Sequence, residues 1–121
     1  MSKQALVVDD SLVIRRMVAM ALTAAGFEVA QAANGKEALD KAQGQSFAIV
    51  ITDLNMPVMD GLELIRGLRD IAAHKFTPII FLTTETDSTK RDEAREAGAT
   101  AWIQKPFQPE KILSVVNRIA G

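Results

Sequence analysis

The chain has 121 residues, 14 basic and 15 acidic side chains, a formal net charge of -1, and 48% hydrophobic residues. That size and apolar content suit one ordinary domain with its own core and exclude a disordered segment; the near-zero charge gives no general pull toward nucleic acid or an acidic membrane. With no cysteine and a single histidine, His74, one chain offers no disulfide, thiolate metal site, cysteine nucleophile or multi-histidine centre.

The first apolar run, Ala5-Leu6-Val7-Val8, follows Met1-Ser2-Lys3-Gln4 too closely, and is too short, for a signal peptide. It leads into Asp9-Asp10-Ser11. A helical stripe follows, with Ile14, Val18, Leu22 and Ala25 inward and Gly26 as its stop. Phe27-Glu28-Val29-Ala30 is the most broken run and suits a sheet edge. Asn34 can cap a helix that runs to Gly44, with Leu39 and Ala42 inward. The run from Phe47 to Ile51 ends at Asp53. Asp60 can cap the next helix, whose stripe is Leu62, Ile65, Leu68 and Ala72. His74 and Phe76 come next, and His74 is expected to be a surface loop residue without a role. The run from Pro78 to Leu82 reaches Thr83-Thr84. Asp87 or Ser88 can cap a fourth helix that ends near Gly98. Only Ala94 and Ala97 point inward there, among the charges of Lys90, Arg91, Asp92, Glu93, Arg95 and Glu96. Ala101-Trp102-Ile103 reaches Lys105-Pro106. Pro109 suits the first turn of a last helix, with Ile112, Val116 and Ile119 inward.

Five strand-helix pairs predict the α/β class: a (βα)5 doubly wound, five-stranded parallel sheet with helices on both faces. No run approaches the ~20 apolar residues of a membrane span. A soluble cytoplasmic protein without membrane insertion is expected, with residues 1–121 as one domain.

In open parallel sheets, sites form beyond the carboxyl ends of the strands. That rule brings Asp9, Asp10, Asp53, Thr83 and Lys105 to one edge. Two carboxylates ~5 Å apart repel by roughly 3 kcal/mol at an effective dielectric near 20. Lys105 supplies one compensating charge, and a divalent ion would supply the rest. Hard oxygen ligands suit Mg²⁺ or Mn²⁺ and disfavour zinc. A carboxylate nucleophile, a metal, an ammonium and a hydroxyl are the equipment of phosphoryl transfer. Each residue alone reads as a cap, a turn or a surface lysine; their convergence is what is specific.

These residues carry a resemblance. The matching segments are Leu6-Val7-Val8-Asp9-Asp10-Ser11, Thr52-Asp53-Leu54-Asn55-Met56-Pro57-Val58-Met59-Asp60-Gly61, Phe81-Leu82-Thr83-Thr84-Glu85, Gly98-Ala99 with Trp102, and Lys105-Pro106-Phe107. The chain resembles the response-regulator receiver domains of two-component systems, most closely the single-domain CheY-type chemotaxis regulators. The resemblance runs over essentially the whole chain, in order, and implies a flavodoxin-like sheet of strand order 2-1-3-4-5.

It also implies roles. Asp53 accepts a phosphoryl group from a phosphohistidine on a sensor histidine kinase or phosphotransfer protein. Asp10 and Asp53, with the backbone carbonyl of Asn55, hold Mg²⁺, and Asp9 helps through water. Lys105 pairs with Asp53 and then with the phosphoryl group. Thr83 moves toward a phosphoryl oxygen, and Trp102 turns inward behind it. The bond to Pro106 is cis. Asn55 and Glu85 tune dephosphorylation and match types found in members that lose phosphate quickly, so a phosphoform lasting seconds to minutes rather than hours is expected here. The resemblance thus implies self-catalysed phosphorylation and autodephosphorylation, with no separate substrate turned over. Two positions depart from the family: Trp102 replaces the usual tyrosine or phenylalanine, and Thr84 a smaller residue. The face of the fourth helix, Trp102 and the last helix is expected to bind a downstream target protein, with no direct nucleic-acid contact.

Other readings stay open. A Mg²⁺-dependent aspartyl phosphatase usually needs a second acid two places after its nucleophile, where this chain has Asn55. A flavin or nucleotide binder would need a glycine loop where Asp9-Asp10-Ser11 stands. A phosphorelay shuttle fits the same chemistry. A receiver cut from a larger regulator is a further reading; the span from Met1 to Gly121 favours a stand-alone regulator.

Overall fold

Apolar runs with little polar interruption fold best as strands covered on both faces, and that is what they form here. The computed structural model describes residues 3–56, 58–84 and 88–120. The strands are β1 (Lys3–Val8), β2 (Phe27–Ala32), β3 (Ile49–Asp53), β4 (Ile79–Thr83) and β5 (Ala101–Gln104). The helices are α1 (Leu12–Ala24), α2 (Gly35–Gly44), α3 (Gly61–Arg69), α4 (Ser88–Ala97) and α5 (Pro109–Ala120), with one 3-10 turn at Ala72–His74. All strand pairs are parallel, in the order β2-β1-β3-β4-β5.

Alternate strand residues face opposite layers. Leu6, Val8, Val50, Ile79 and Phe81 pack toward α2, α3 and α4. Ala5, Val7, Ile51, Ile80, Leu82 and Ile103 pack toward α1 and α5, where they meet Val18, Leu22, Ile112 and Val116. β2 is an edge strand and only its last residue, Ala32, is buried. The register aligns Asp53 with Leu82 and Thr83 with Gln104, so the ends of β3, β4 and β5 share one edge.

Three positions differ from the sequence reading. Ala25 is exposed, because α1 closes on it: its N–H caps the carbonyls of Ala21 and Leu22, and Gly26 then reverses the chain at φ +98°. Ala72 is also exposed, because α3 stops at Arg69; Leu64 takes its place in the core. His74 is not a surface residue: it is 0% exposed. The 3-10 turn stacks its ring on Phe47, with centroids 5.9 Å apart. Its Nε2 lies 3.1 Å from the Ala42 carbonyl and 3.0 Å from that of Gln45, while Nδ1 lies 3.2 Å from the Thr77 hydroxyl. Two carbonyls at Nε2 require the proton there. The cap of α4 falls partly on Asp87, which lies outside the described residues.

Arg69 ties the same end of the molecule together. Its guanidinium donates to the carbonyls of His74 and Thr77, both at 2.8 Å, and of Gly98 at 2.6 Å. Gly98 has φ +114°, and a Cβ there would sit 2.8 Å from Arg69 Nε. The carboxyl end of α4 is thereby pinned to the end of α3.

Candidate functional site

Asp9 follows β1 and is held from several sides. Its N–H donates to the Ala32 carbonyl at 3.2 Å, and its own carbonyl accepts from Arg15 Nη1 at 2.8 Å. Its Oδ1 accepts from the Ser11 N–H at 2.8 Å, which leaves Ser11 as the cap of α1. Its Oδ2 receives Lys105 Nζ at 3.0 Å. Asp9 is 0% exposed, so this pairing is shielded from water.

Lys105 enters from beyond β5, where its N–H bonds the Thr83 carbonyl at 2.8 Å and its bond to Pro106 is cis. Its Nζ is also 3.5 Å from Asp53 Oδ2. The ammonium therefore bridges two carboxylates and sits nearer Asp9 than Asp53. Asp53, at the end of β3, is 7% exposed. Burial raises its pKa and Lys105 opposes the rise; Asp9 adds to the rise, and the Asn55 N–H lowers it.

Carboxylate oxygens of Asp9, Asp10 and Asp53 all lie within 4.8 Å of one another. Asp10 is exposed and leaves the cluster open to solvent. Three carboxylates against one ammonium leave two negative charges, the charge of one divalent cation. The donors are hard oxygens, so the residues present fit Mg²⁺ or Mn²⁺.

The remaining predicted residues surround this cluster. Asn55 is exposed on its rim. Thr83 is buried at the end of β4, and Thr84 is exposed. Glu85 lies outside the described residues. Trp102 is half-buried on β5, edge-on to Phe81 at 6.0 Å, with the Arg91 guanidinium 5.2 Å above its ring. The indole Nε1 is buried without an acceptor among the described residues. An orphaned donor of this kind costs about 1–3 kcal/mol, so no hydrogen bond among the described residues locks the ring in this orientation.

Sequence reasoning assigned no role to Gly61 or Arg15. A Cβ on Gly61 would lie 2.6 Å from both the Asp53 carbonyl and Phe81 Cε1. Its N–H donates to the Leu54 carbonyl at 2.8 Å, so α3 starts hard against the end of β3. The signal was a glycine directly after a capping aspartate. Arg15 bonds both the Asp9 carbonyl and Gln31 Oε1, the latter at 3.2 Å. Its only sequence signal is a cation one turn into a helix that follows two acids.

A sequence model of the response regulator receiver domain matches residues 5–117. The chain belongs to that family. Among curated proteins it is 42% identical over 119 residues to the transcriptional regulatory protein SrrA of Staphylococcus aureus, covering 98% of this chain and 48% of that protein. The chain thus spans about half the length of the curated relatives it matches. Among solved structures, the Vibrio cholerae chemotaxis protein CheY4 is 48% identical with a TM-score of 0.94, covering 98% of this chain and 99% of that one. The receiver domain of a sensor histidine kinase from Pseudomonas aeruginosa, solved with a magnesium ion in its active site cleft, is 26% identical with a TM-score of 0.88, covering 98% and 97%. The fold is that of CheY-like receivers. Such domains act as phosphoacceptor switches of two-component systems: they interact with histidine kinases and downstream targets and typically bind Mg²⁺ in an acidic pocket.

Proposed function

We propose that this chain is a two-component switch whose phosphoacceptor is Asp53, with residues 1–121 as one receiver domain. The observation that carries this reading is the bridge from Lys105 to the two buried carboxylates Asp9 and Asp53, beside the open Asp10. Asp10, Asp53 and the Asn55 backbone carbonyl would hold Mg²⁺, with Asp9 helping through water. Bound there, the cation supplies charge neutralisation to the transferring phosphoryl group.

A carboxylate oxygen of Asp53 attacks the phosphorus of a donor phosphohistidine. The P–N bond breaks, its electron pair returns to the imidazole, and the imidazole nitrogen takes up a proton from solvent. The product is an acyl phosphate on Asp53. Lys105 keeps its place beside Asp53 and donates to a phosphoryl oxygen; the Thr83 hydroxyl donates to another. Trp102 turns inward, and the surface of α4, β5 and α5 changes its affinity for a target. A coupling of about 1–3 kcal/mol suffices. Attack of water on the phosphorus releases inorganic phosphate and restores the carboxylate. Asn55 and Glu85 set that rate, and the phosphoform lasts seconds to minutes; one still intact after hours in Mg²⁺ buffer would contradict it. The protein turns over no separate substrate, and turnover of a generic phosphate ester would favour the phosphatase reading instead.

The cellular setting proposed is chemotaxis in the cytoplasm. CheY4 supports the pathway, since the match covers 99% of that chain. The SrrA match supports the alternative of a receiver joined to an output domain. Among the described residues no helix is long and apolar enough to cross a membrane.

Trp102 is the only tryptophan and reports on the switch. Beryllium fluoride with Mg²⁺ stands in for the acyl phosphate. It should change Trp102 emission in the wild type and leave Asp53→Ala unchanged. No change in the wild type would overturn the switch reading.

A further inference from the structure

Asp9 has four polar groups, and each has its own holder. The N–H donates to the Ala32 carbonyl, Oδ1 accepts from the Ser11 N–H, Oδ2 accepts from Lys105, and the carbonyl accepts from Arg15. That carbonyl belongs to the peptide unit leading to Asp10, and the unit is planar. Its direction therefore sets where Asp10 departs from the chain. Among the described residues no hydrogen bond or ion pair holds the Asp10 carboxylate. The main chain alone aims it at Asp9 and Asp53. Three carboxylates within 4.8 Å repel one another, so the peptide that carries Asp10 needs a restraint.

Arg15 is placed to supply it. It ends the first turn of α1, and side chains on a helix lean toward its N-terminus, here back over Asp9. The guanidinium is a rigid fork. Nη1 reaches the Asp9 carbonyl and Nε reaches Gln31 Oε1, so two acceptors fix its plane. Gln31 is itself fixed: it pairs with Val7 in the sheet, and its carbonyl accepts from Lys41 Nζ of α2 at 2.5 Å. Arg15 is half-buried and, among the described residues, makes no ion pair. The first turn of α1 holds no acid, and a cation there opposes the helix dipole. A residue that breaks a local rule is expected where function gains from it.

We infer that Arg15 is a positioning residue for the cation site: by holding the Asp9 carbonyl it locks the Asp9–Asp10 peptide and keeps both carboxylates converged before a cation arrives. The inference rests on the cation site proposed above and adds a residue that acts on it through the main chain. Without the guanidinium, repulsion turns the peptide and carries Asp10 away from Asp53. A cation must then draw the carboxylates back together as it binds, and its affinity falls.

The test uses the whole chain and Mn²⁺ alone, with the free ion measured by electron paramagnetic resonance. The wild type should bind Mn²⁺ saturably. Arg15→Met keeps the apolar stem and removes the donors, and should weaken binding by about tenfold. Gln31→Ala leaves the bond to the Asp9 carbonyl and should weaken it far less. With acetyl phosphate, Arg15→Met should need about tenfold more Mg²⁺ for half its maximal rate yet reach the wild-type maximum, since saturating cation restores the convergence. Urea denaturation of the metal-free proteins reports stability separately. An Arg15→Met protein that is less stable but binds Mn²⁺ as the wild type does has lost only a structural contact, which overturns the inference. Equal weakening by Gln31→Ala overturns it too, because the link between α1 and β2 would then be what matters. A wild type that binds no Mn²⁺ removes the cation site and this inference together. Mn²⁺ binding that depends on Arg15 in a protein that takes up no phosphoryl group keeps the inference and removes the phosphoacceptor reading.

Discussion

α3 and α4 occupy equivalent places in the repeat: each follows a strand whose end carries a site residue, Asp53 for α3 and Thr83 for α4. They are built differently. α3 buries Leu62, Leu64, Ile65 and Leu68 and opens with a reciprocal cap. There the Glu63 N–H donates to Asp60 Oδ1 at 2.9 Å and the Asp60 N–H to Glu63 Oε1 at 3.4 Å. Among the described residues, α4 fully buries Ala94 alone. Large side chains contribute roughly 1.5–3 kcal/mol each on burial, a single methyl roughly 0.8. The half of the sheet edge that must hold carboxylates in place is anchored by packing. The half that is proposed to change is anchored chiefly at its far end, where Arg69 grips the Gly98 carbonyl. The contrast teaches where rigidity is placed: under the proposed phosphoacceptor Asp53, and at the pivot of α4.

The largest expected effect tests the rigid side. Gly61→Ala forces a methyl into the Asp53 carbonyl and Phe81, and should lower stability by about 3 kcal/mol in urea denaturation. A cost below about 1 kcal/mol would mean the junction of β3 and α3 is as yielding as α4. Next comes the pivot. Arg69→Ala strips a donor from three carbonyls and should cost about 2 kcal/mol. Hydrogen exchange should quicken around Gly98 and Ala99; unchanged protection there would remove the pivot from the account. Asp60→Ala deletes the cap of α3 at about 1 kcal/mol, with the loss confined to the first turn in exchange measurements.

The smallest effect has the opposite sign. Burial raises the Asp53 pKa, so the folded state favours its protonated form. That stabilisation is fully present below the ordinary value of 3.8 and is lost as pH rises through the raised folded value. At neutral pH without Mg²⁺ the ionised Asp53 is therefore a burden. Asp53→Asn should stabilise the metal-free protein by on the order of 1 kcal/mol, with the gain vanishing in acid. Thermal melts across pH check this; a destabilised Asn variant at neutral pH would show that Lys105 and the Asn55 N–H outweigh the burial.

Much of this was legible in the sequence. Apolar runs with little interruption mark the strands, and the polar residues that follow them fall at one edge once the sheet is parallel. Periodicity failed at helix ends. Alanine favours helix more than any other residue, so Ala25 and Ala72 extended stripes that caps had already ended. His74 was missed because one polar residue among loop residues carries no period. Its burial depends on carbonyls from residues 42 and 45, far away in the chain. Pattern also could not show that Lys105 sits closer to Asp9 than to Asp53, since half an ångström is decided by packing across the sheet.

Phosphoryl transfer to one aspartate can be measured directly. The protein is incubated with Mg²⁺ and acetyl phosphate, its intact mass is recorded, and the phosphoryl group is located by peptide mapping. One phosphoryl group should appear, on the peptide holding Asp53, and should be absent from Asp53→Asn. No mass gain in the wild type, or an equal gain in the variant, would contradict the account.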